Sequence, residues 1–446
     1  MKIVIVGAGF GGLRLARKLN NKAGFEVYLI DKFNYHQFQP LFYQVATAAL
    51  DASNISFPLR RAFQKTKNVH IRITELKQVL PDQKKVITET EEIEYDVLVL
   101  ATGADTNFFG NQQMATNAFP MKSTVEALQL RHRFIQNFED ALLVNDNEEE
   151  IQRLLNIVVV GGGPTGVEVA GALAEMKRYV LPKDYPEIDF SKMNIFLLEG
   201  GDRTLGTMSQ KSSDDSSRYL KELGVTVMTK TVVKEYDGDN VLLADGNTIS
   251  TNTVIWAAGI KGNVPEGIDK SLVVRGNRIK VDRHNKVLGS DNIYVLGDLA
   301  SMETPIWPNG HPQVASVAIQ QADVLVENLK AIERKATKFL EYEYHDKGSM
   351  ATIGRHLAVV DMPRPKIHLN GVFAWFIWMG LHLFLILGVR NRIMVFINWM
   401  YSYFTYDQNL RLIFKEFYKP KLPMDKAKTE QVNGTAEPVK VLVGKS

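Results

Sequence analysis

The chain has 446 residues, 45% of them hydrophobic, a formal net charge of +3 and no cysteine. That length exceeds what one hydrophobic core usually supports, so two or more domains are expected. The small, scattered positive charge excludes a nucleic-acid footprint, and the missing cysteines exclude disulfides, thiolate nucleophiles, iron–sulfur clusters and dithiol relays, so any redox chemistry must belong to a cofactor.

The opening MKIVIVGAGFGG enters a strand directly, without the basic and apolar regions of a signal peptide, so the body of the protein is expected in the cytosol. KIVIV is a β-branched run, GAGFGG is a glycine turn, a helix-like segment runs through Leu19, and EVYLID is a second strand ending in Asp31. Short alternating strands follow and close on Ala101-Thr102-Gly103. Roughly 155 residues on, the series recurs: NIVVV, GGGPTG, a helix through Lys177, NIFLLE ending in Glu199, alternating strands, and Ala257-Ala258-Gly259. The order built twice predicts an α/β protein with two Rossmann-like dinucleotide-binding domains. No metal site is expected.

The glycines have separate physical tasks. Gly7 makes the tight turn out of the strand, Gly9 lets backbone approach a pyrophosphate and Gly12 lets helix pack on sheet, with Gly161, Gly163 and Gly166 repeating this. Asp31 and Glu199 are candidates for a ribose hydroxyl, Asp31 standing 24 positions after Gly7 and Glu199 38 after Gly161. The excess in the second copy is KRYVLPKDYPEIDFSKM, read as a loop or short extra helix. A carboxylate at Glu199 disfavours a 2′-phosphate, a preference that Arg203 nearby could soften. Thr102, Gly103, Ala258 and Gly259, at the two matching strand ends, are placed among the cofactor-binding positions. Glu168, two residues past Gly166, has two readings: complementing the helix dipole, or meeting the reacting end of a dinucleotide.

Downstream, NIYVLGDLA is a strand ending in Gly297-Asp298, and HPQVASVAIQQADVLVENLKAI begins a helix near Gln313. VFAWFIWMGLHLFLILGV, from Val372 to Val389, is apolar except for His382 and reaches the length at which a membrane-spanning helix becomes a candidate. Arg390, Arg392, a second apolar run and then Arg411, Lys415 and Lys419 follow, with Trp375, Trp378, Trp399, Tyr401, Tyr403 and Tyr406 supplying aromatic enrichment expected at headgroup depth. Three arrangements stay open: a spanning anchor, a buried helical hairpin or dimer core, and two helices lying in the membrane interface. Beyond Lys421 the polar tail is read as disordered.

Taken together, DKFNYHQFQPLFYQVAT, GGGPTGVEVAGALAE, PQVASVAIQQ and GLHLFLILGVRNRIMVFINWMYSYFTY resemble the type II NADH dehydrogenases, single-subunit NADH:quinone oxidoreductases among the two-dinucleotide-domain flavoproteins. The resemblance covers residues 1–417. It implies non-covalent FAD held by Gly7, Gly9, Gly12, Asp31 and Asp298, and the helix start near Gln313 is placed with them because its N-terminal dipole suits negative charge on a reduced flavin. It implies NADH as substrate facing Gly161, Gly163, Gly166, Glu168 and Glu199, and a quinone headgroup beside Gln320 and Gln321. The last pair also reads as polar residues on a solvated helix face. The implied division is 1–118 and 263–335 for FAD, 119–262 for NADH inserted between them, 336–420 for a C-terminal helical membrane-associating region, and 421–446 for the tail. The expected activity is hydride transfer to FAD, then two-electron reduction of a membrane quinone without proton pumping. The expected place is peripheral, on the cytoplasmic face of the cell membrane. A homodimer fits the family. The rival readings are a reductase of a soluble acceptor and a slow redox sensor of the apoptosis-inducing-factor kind.

Overall fold

Ile3 to Val6 are almost fully buried, because strand β1 (Lys2–Val6) runs through the middle of a parallel sheet covered on both faces. The structure, a computed structural model, describes residues 1–144, 147–405, 407 and 410–413. After β1 come α1 (Phe10–Leu19), β2 (Glu26–Asp31), the short helix α2 (Phe42–Ala46), β3 (Val69–Ile73) and β4 (Val97–Leu100). Strand β1 lies between β2 and β4, with Val4 opposite Tyr28 on one side and Leu98 on the other.

A long helix, α3 (Thr124–Leu143), starts on a capping box in which Ser123 and Glu126 satisfy each other's backbone amides. The second pass follows: β5 (Ile157–Val160), α4 (Pro164–Tyr179), β6 (Ile195–Leu198), α5 (Gln210–Glu222), β7 (Thr226–Met228) and β8 (Thr253–Trp256). These strands form a parallel sheet in the order β7-β6-β5-β8. The insert between α4 and β6 contains two single helical turns, Leu181–Asp184 and Phe190–Lys192.

Strand β9 (Ile293–Val295) then returns to the first sheet and pairs with β4, giving the order β9-β4-β1-β2-β3. The second dinucleotide domain is thereby inserted in the first. Helix α6 (Ala315–Glu333) packs along α1. The alternating stretches form two small antiparallel sheets, each of three strands.

The C-terminal region is an antiparallel sheet of β10 (Ser349–Gly354), β11 (Leu357–Pro363) and β12 (Lys366–Asn370), followed by α7 (Gly371–Leu385) and α8 (Val389–Thr405). The apolar run is therefore two helices. Gly388, at φ +88°, breaks it, and a Cβ there would stand 2.4 Å from the Phe57 ring. At 1.5 Å per residue, α7 is about 22 Å long against about 30 Å of hydrocarbon. Among the described residues no helix is long and apolar enough to cross a membrane.

The aromatic residues need a correction. Trp375, Trp378 and Trp399 are buried, Trp378 only 1% exposed, so they are core residues and not a headgroup belt. Trp378 stacks on His382 and packs on Trp399. An aromatic count cannot tell the two faces of a helix apart. The opposite face carries Phe373, Phe384, Val389 and Phe404, all exposed. The pair is thus buried along one side and apolar on the open side. Tyr406, Lys415, Lys419 and the tail 421–446 lie outside the described residues.

Candidate functional site

Each glycine turn is shaped by contacts that no side chain would permit. Gly7 has φ +102° and a Cβ there would meet the Ala101 carbonyl oxygen at 2.2 Å, while one on Gly12 would meet the Gly7 oxygen at 1.9 Å. Gly161, at φ +109°, and Gly166 repeat the pattern against Ala257 and the Gly161 carbonyl. Gly9 and Gly163 have open space in front of them. Both helices start without a side-chain cap, so their first N–H groups face that space.

The acidic strand ends close the two cradles alike. Asp31 accepts from the amides of Ala8 at 2.6 Å and Phe33 at 2.7 Å. Burial pushes its carboxyl upward against those two bonds. Glu199 accepts from the amides of Gly162 at 2.5 Å and Gly201 at 2.6 Å. Arg203 is turned away: it donates to the Gln210 side chain and the Gly206 carbonyl.

Past β4 and β8 the chain forms one ribbon between the domains, Ala104–Thr106 against Ile260–Gly262. The Thr102 hydroxyl donates to the Asn263 carbonyl at 2.7 Å, and the Asn263 amide donates to the Gly103 carbonyl at 3.0 Å. On the other side the Asn107 amide donates to the Gly259 carbonyl at 3.0 Å. Ala258 lies just before that bond, half-buried.

Asp298 stands in a single turn after β9, half-buried, and its carboxylate has no hydrogen-bond partner among the described residues. Burial raises its carboxyl, partly offset by Lys122 and Arg278. Its backbone is held from two sides. Gln313 donates to the Asp298 carbonyl at 2.8 Å, and buried Gln321 accepts from the Gly297 amide at 2.7 Å. Gln320 spends both ends of its amide on the backbone of His345. An open glycine cradle, an uncapped helix start and a half-buried carboxylate awaiting a donor fit a dinucleotide with hydroxyl groups.

Glu168 lies on the second turn of α4. It lines an open pocket with Tyr43, Gln44 and Thr47 from α2 and its end, Glu175 from its own helix, Thr352 and Arg355 from the C-terminal sheet, and Trp375, Trp399 and Tyr403 from the apolar helices. Neither Gln320 nor Gln321 lines this pocket. The Thr352 amide donates to Glu168 Oε1 at a long 3.4 Å, and burial pushes the carboxyl up to about 8. Beside it, burial and then the Glu168 charge hold the Tyr43 phenol well above its usual range. Trp399 donates to Gln44 Oε1 at 2.7 Å, and Gln44 Nε2 donates to the Tyr43 hydroxyl at 2.8 Å. The pocket thus joins a carboxyl that burial raises to about 8 to an ordered phenol, beneath an aromatic wall.

Sequence reasoning reached Glu168 but not its neighbours. Tyr43, Gln44 and Thr47 lie inside the segment DKFNYHQFQPLFYQVAT, and Glu175 is seven residues after Glu168, a same-face spacing visible in the sequence. Nothing local points to Thr352 or Trp399.

Residues 1–322 match the pyridine nucleotide-disulphide oxidoreductase family, and residues 346–405 match the NDH2 C-terminal domain. Over 420 residues the chain is 33% identical to the type II NADH:quinone oxidoreductase Ndh of Mycobacterium tuberculosis, covering 90% of this chain and 88% of the relative. The similar NdhA of that organism is 36% identical over 419 residues, covering 90% and 87%. Among solved structures, NDH2 from Plasmodium falciparum in complex with NADH superposes with a TM-score of 0.83 at 23% identity, covering 93% of this chain and 99% of that one. The sulfide:quinone oxidoreductase of Aquifex aeolicus gives 0.66 at 21% identity, covering 88% and 92%. At such identities the two structures bear on the fold alone.

Proposed function

Because this chain belongs to the type II NADH:quinone oxidoreductases, we propose that its three-sided pocket at Glu168 is where electrons leave for a quinone. The protein is a non-proton-pumping NADH:quinone oxidoreductase with FAD as cofactor and NADH as substrate. The carrying observation is that one pocket is built jointly by the second domain's helix, the α2 segment and the apolar C-terminal helices, in a chain with no cysteine for a thiol relay. When bound, FAD supplies the two-electron chemistry that links NADH oxidation to quinone reduction.

The rest falls to the chain. Residues 1–118 and 263–335 hold FAD: the turn at Gly7, Gly9 and Gly12 aims helix N–H groups at the pyrophosphate, Asp31 keeps lone pairs for a ribose, and Asp298 takes a ribityl hydroxyl. Gln313 and Gln321 serve by holding the Asp298 turn in place, and Gln320 by fastening α6 to the segment before β10. Residues 119–262 hold NADH at Gly161, Gly163, Gly166 and Glu199. Thr102-Gly103 and Ala258-Gly259 fix the ribbon between the two nucleotides. With Arg203 engaged elsewhere, the Glu199 carboxylate faces a ribose 2′-position without a cation to soften it, which supports preference for NADH over NADPH. Glu168 holds a proton at the pocket, and Trp375, Trp399 and Tyr403 keep bulk water from that wall.

The exposed apolar side of α7 and α8, with Arg390 and Arg392 between the runs, supports attachment by lying in the interface, and we place the protein on the cytoplasmic face of the cell membrane. Flotation with lipid vesicles checks this, and sedimentation in detergent checks the homodimer. For the activity, steady-state NADH oxidation is measured with a quinone analogue, a soluble dye and oxygen. Quinone is expected to be the fastest acceptor; a protein that turns over the dye and ignores quinone would sink the reading.

A further inference from the structure

Helix α4 sends a second carboxylate into the same pocket. Glu175 lies seven residues beyond Glu168, on the same face and about 10 Å further along the axis. The charged and titratable groups around it come from three elements. Arg178 is on its own helix, Arg355 is at the turn between β10 and β11, and the Tyr43 hydroxyl on α2 feels the charges of both Glu168 and Glu175. The Arg355 amide donates to Glu175 Oε1. Burial outweighs the two arginines and raises the Glu175 carboxyl. A glutamine could accept that same amide bond. What only a glutamate brings to this spot is an exchangeable proton.

We infer that Glu175 loads the pocket with protons, taking them from solvent at the half-exposed Arg355 rim and passing them through pocket water toward Glu168 and Tyr43. The inference rests on the pocket's being the quinone site. The balance is simple: NADH and one proton convert quinone to hydroquinone and NAD⁺. The hydride supplies both electrons and one hydrogen nucleus; the second O–H bond needs one proton from the medium. Glu175 carries that proton and no electrons, and regains it from water after each turnover. It is a positioning residue that acts through Glu168.

Ferricyanide accepts electrons without protons, so it separates the two roles. The full-length, FAD-loaded protein is compared with E175Q and E175D in NADH turnover with a short-tailed quinone and with ferricyanide across pH. The quinone-to-ferricyanide ratio is expected to fall about tenfold in E175Q, more steeply at alkaline pH, and E175D is expected to restore most of it because its carboxyl still titrates. An unchanged ratio and pH profile in E175Q would overturn the inference. So would an equal loss with both acceptors, the mark of a structural fault. If E175Q loses its flavin or does not fold, E175D decides: ferricyanide turnover kept while the pH dependence of quinone turnover shifts supports the relay, and a quinone pH profile identical to that of the unsubstituted protein overturns it. An unsubstituted protein that reduces ferricyanide but no quinone overturns the parent reading, and is told apart because no substitution is involved.

Discussion

The two glycine-turn helices begin alike and diverge within two turns. In the repeat register Arg14 of α1 stands where Glu168 stands on α4. Arg14 makes a two-pronged pair with Asp323 of α6, at 2.7 and 3.0 Å, and α1 carries no acidic residue. Glu168 has one long amide bond and a pocket in front of it. The first helix is covered by another helix and serves packing. The second is covered by a strand that approaches its backbone, because Gly171 has no side chain: a Cβ there would lie 1.6 Å from the Ile353 carbonyl oxygen. That approach carries Thr352 and Arg355 to the pocket. The glycine turn is common to both copies, and only the second copy's helix is left open to a pocket.

The most severe way to break this contrast is Gly171→Val. Overpacking against backbone should cost about 3 kcal/mol or more, undocking β10 and lowering the melting temperature, whereas a small residue at Arg17, its counterpart in the first copy, should be tolerated. A stable G171V with normal quinone turnover would mean the strand does not depend on that approach. Next, Glu168→Gln should lower quinone turnover about tenfold or more, with a smaller effect on dye reduction. The same variant tests the titration. With the folded carboxyl raised from the ordinary 4.5 to about 8, the unfolded chain loses its proton first as pH rises. Glu168 therefore contributes full stability below about 4.5 and loses it progressively up to about 8, a slope that E168Q should lack in pH-dependent melting. Third, Glu199→Ala should reduce the NADH-to-NADPH ratio of kcat/KM by roughly tenfold through loss of a charge-assisted hydrogen bond; an unchanged ratio would remove Glu199 from coenzyme choice. The smallest effect is expected from Arg14→Gln, about 1 kcal/mol or less in chemical denaturation, since the Arg14–Asp323 pair is over a third exposed on each side.

Much of the nucleotide machinery was legible because it is local. A glycine turn, the strand before it and the acid after it lie within a few dozen residues, and the backbone geometry that forces glycine at Gly7 and Gly161 is a property of that turn. The C-terminal helices were legible only in composition. Hydropathy showed an apolar run, but the helix break follows from Gly388 passing the Phe57 ring, and the burial of Trp378 and Trp399 from their packing on each other and on α2. Arg203 looked available in sequence because its partners, Gln210 and the Gly206 carbonyl, come close only when the loop closes over the start of α5.

By itself, then, the sequence determined two dinucleotide cradles, the acids that finish them, and the absence of thiol chemistry, since each depends on residue type at short spacing. Only the tertiary structure decided what Glu168 meets. Residues near 43, 168, 352 and 399 share one pocket because a strand can lie against α4 at Gly171 and the apolar helices fold back over α2. Contacts between positions so far apart are set by the packing of whole faces, and no short stretch of the chain encodes them.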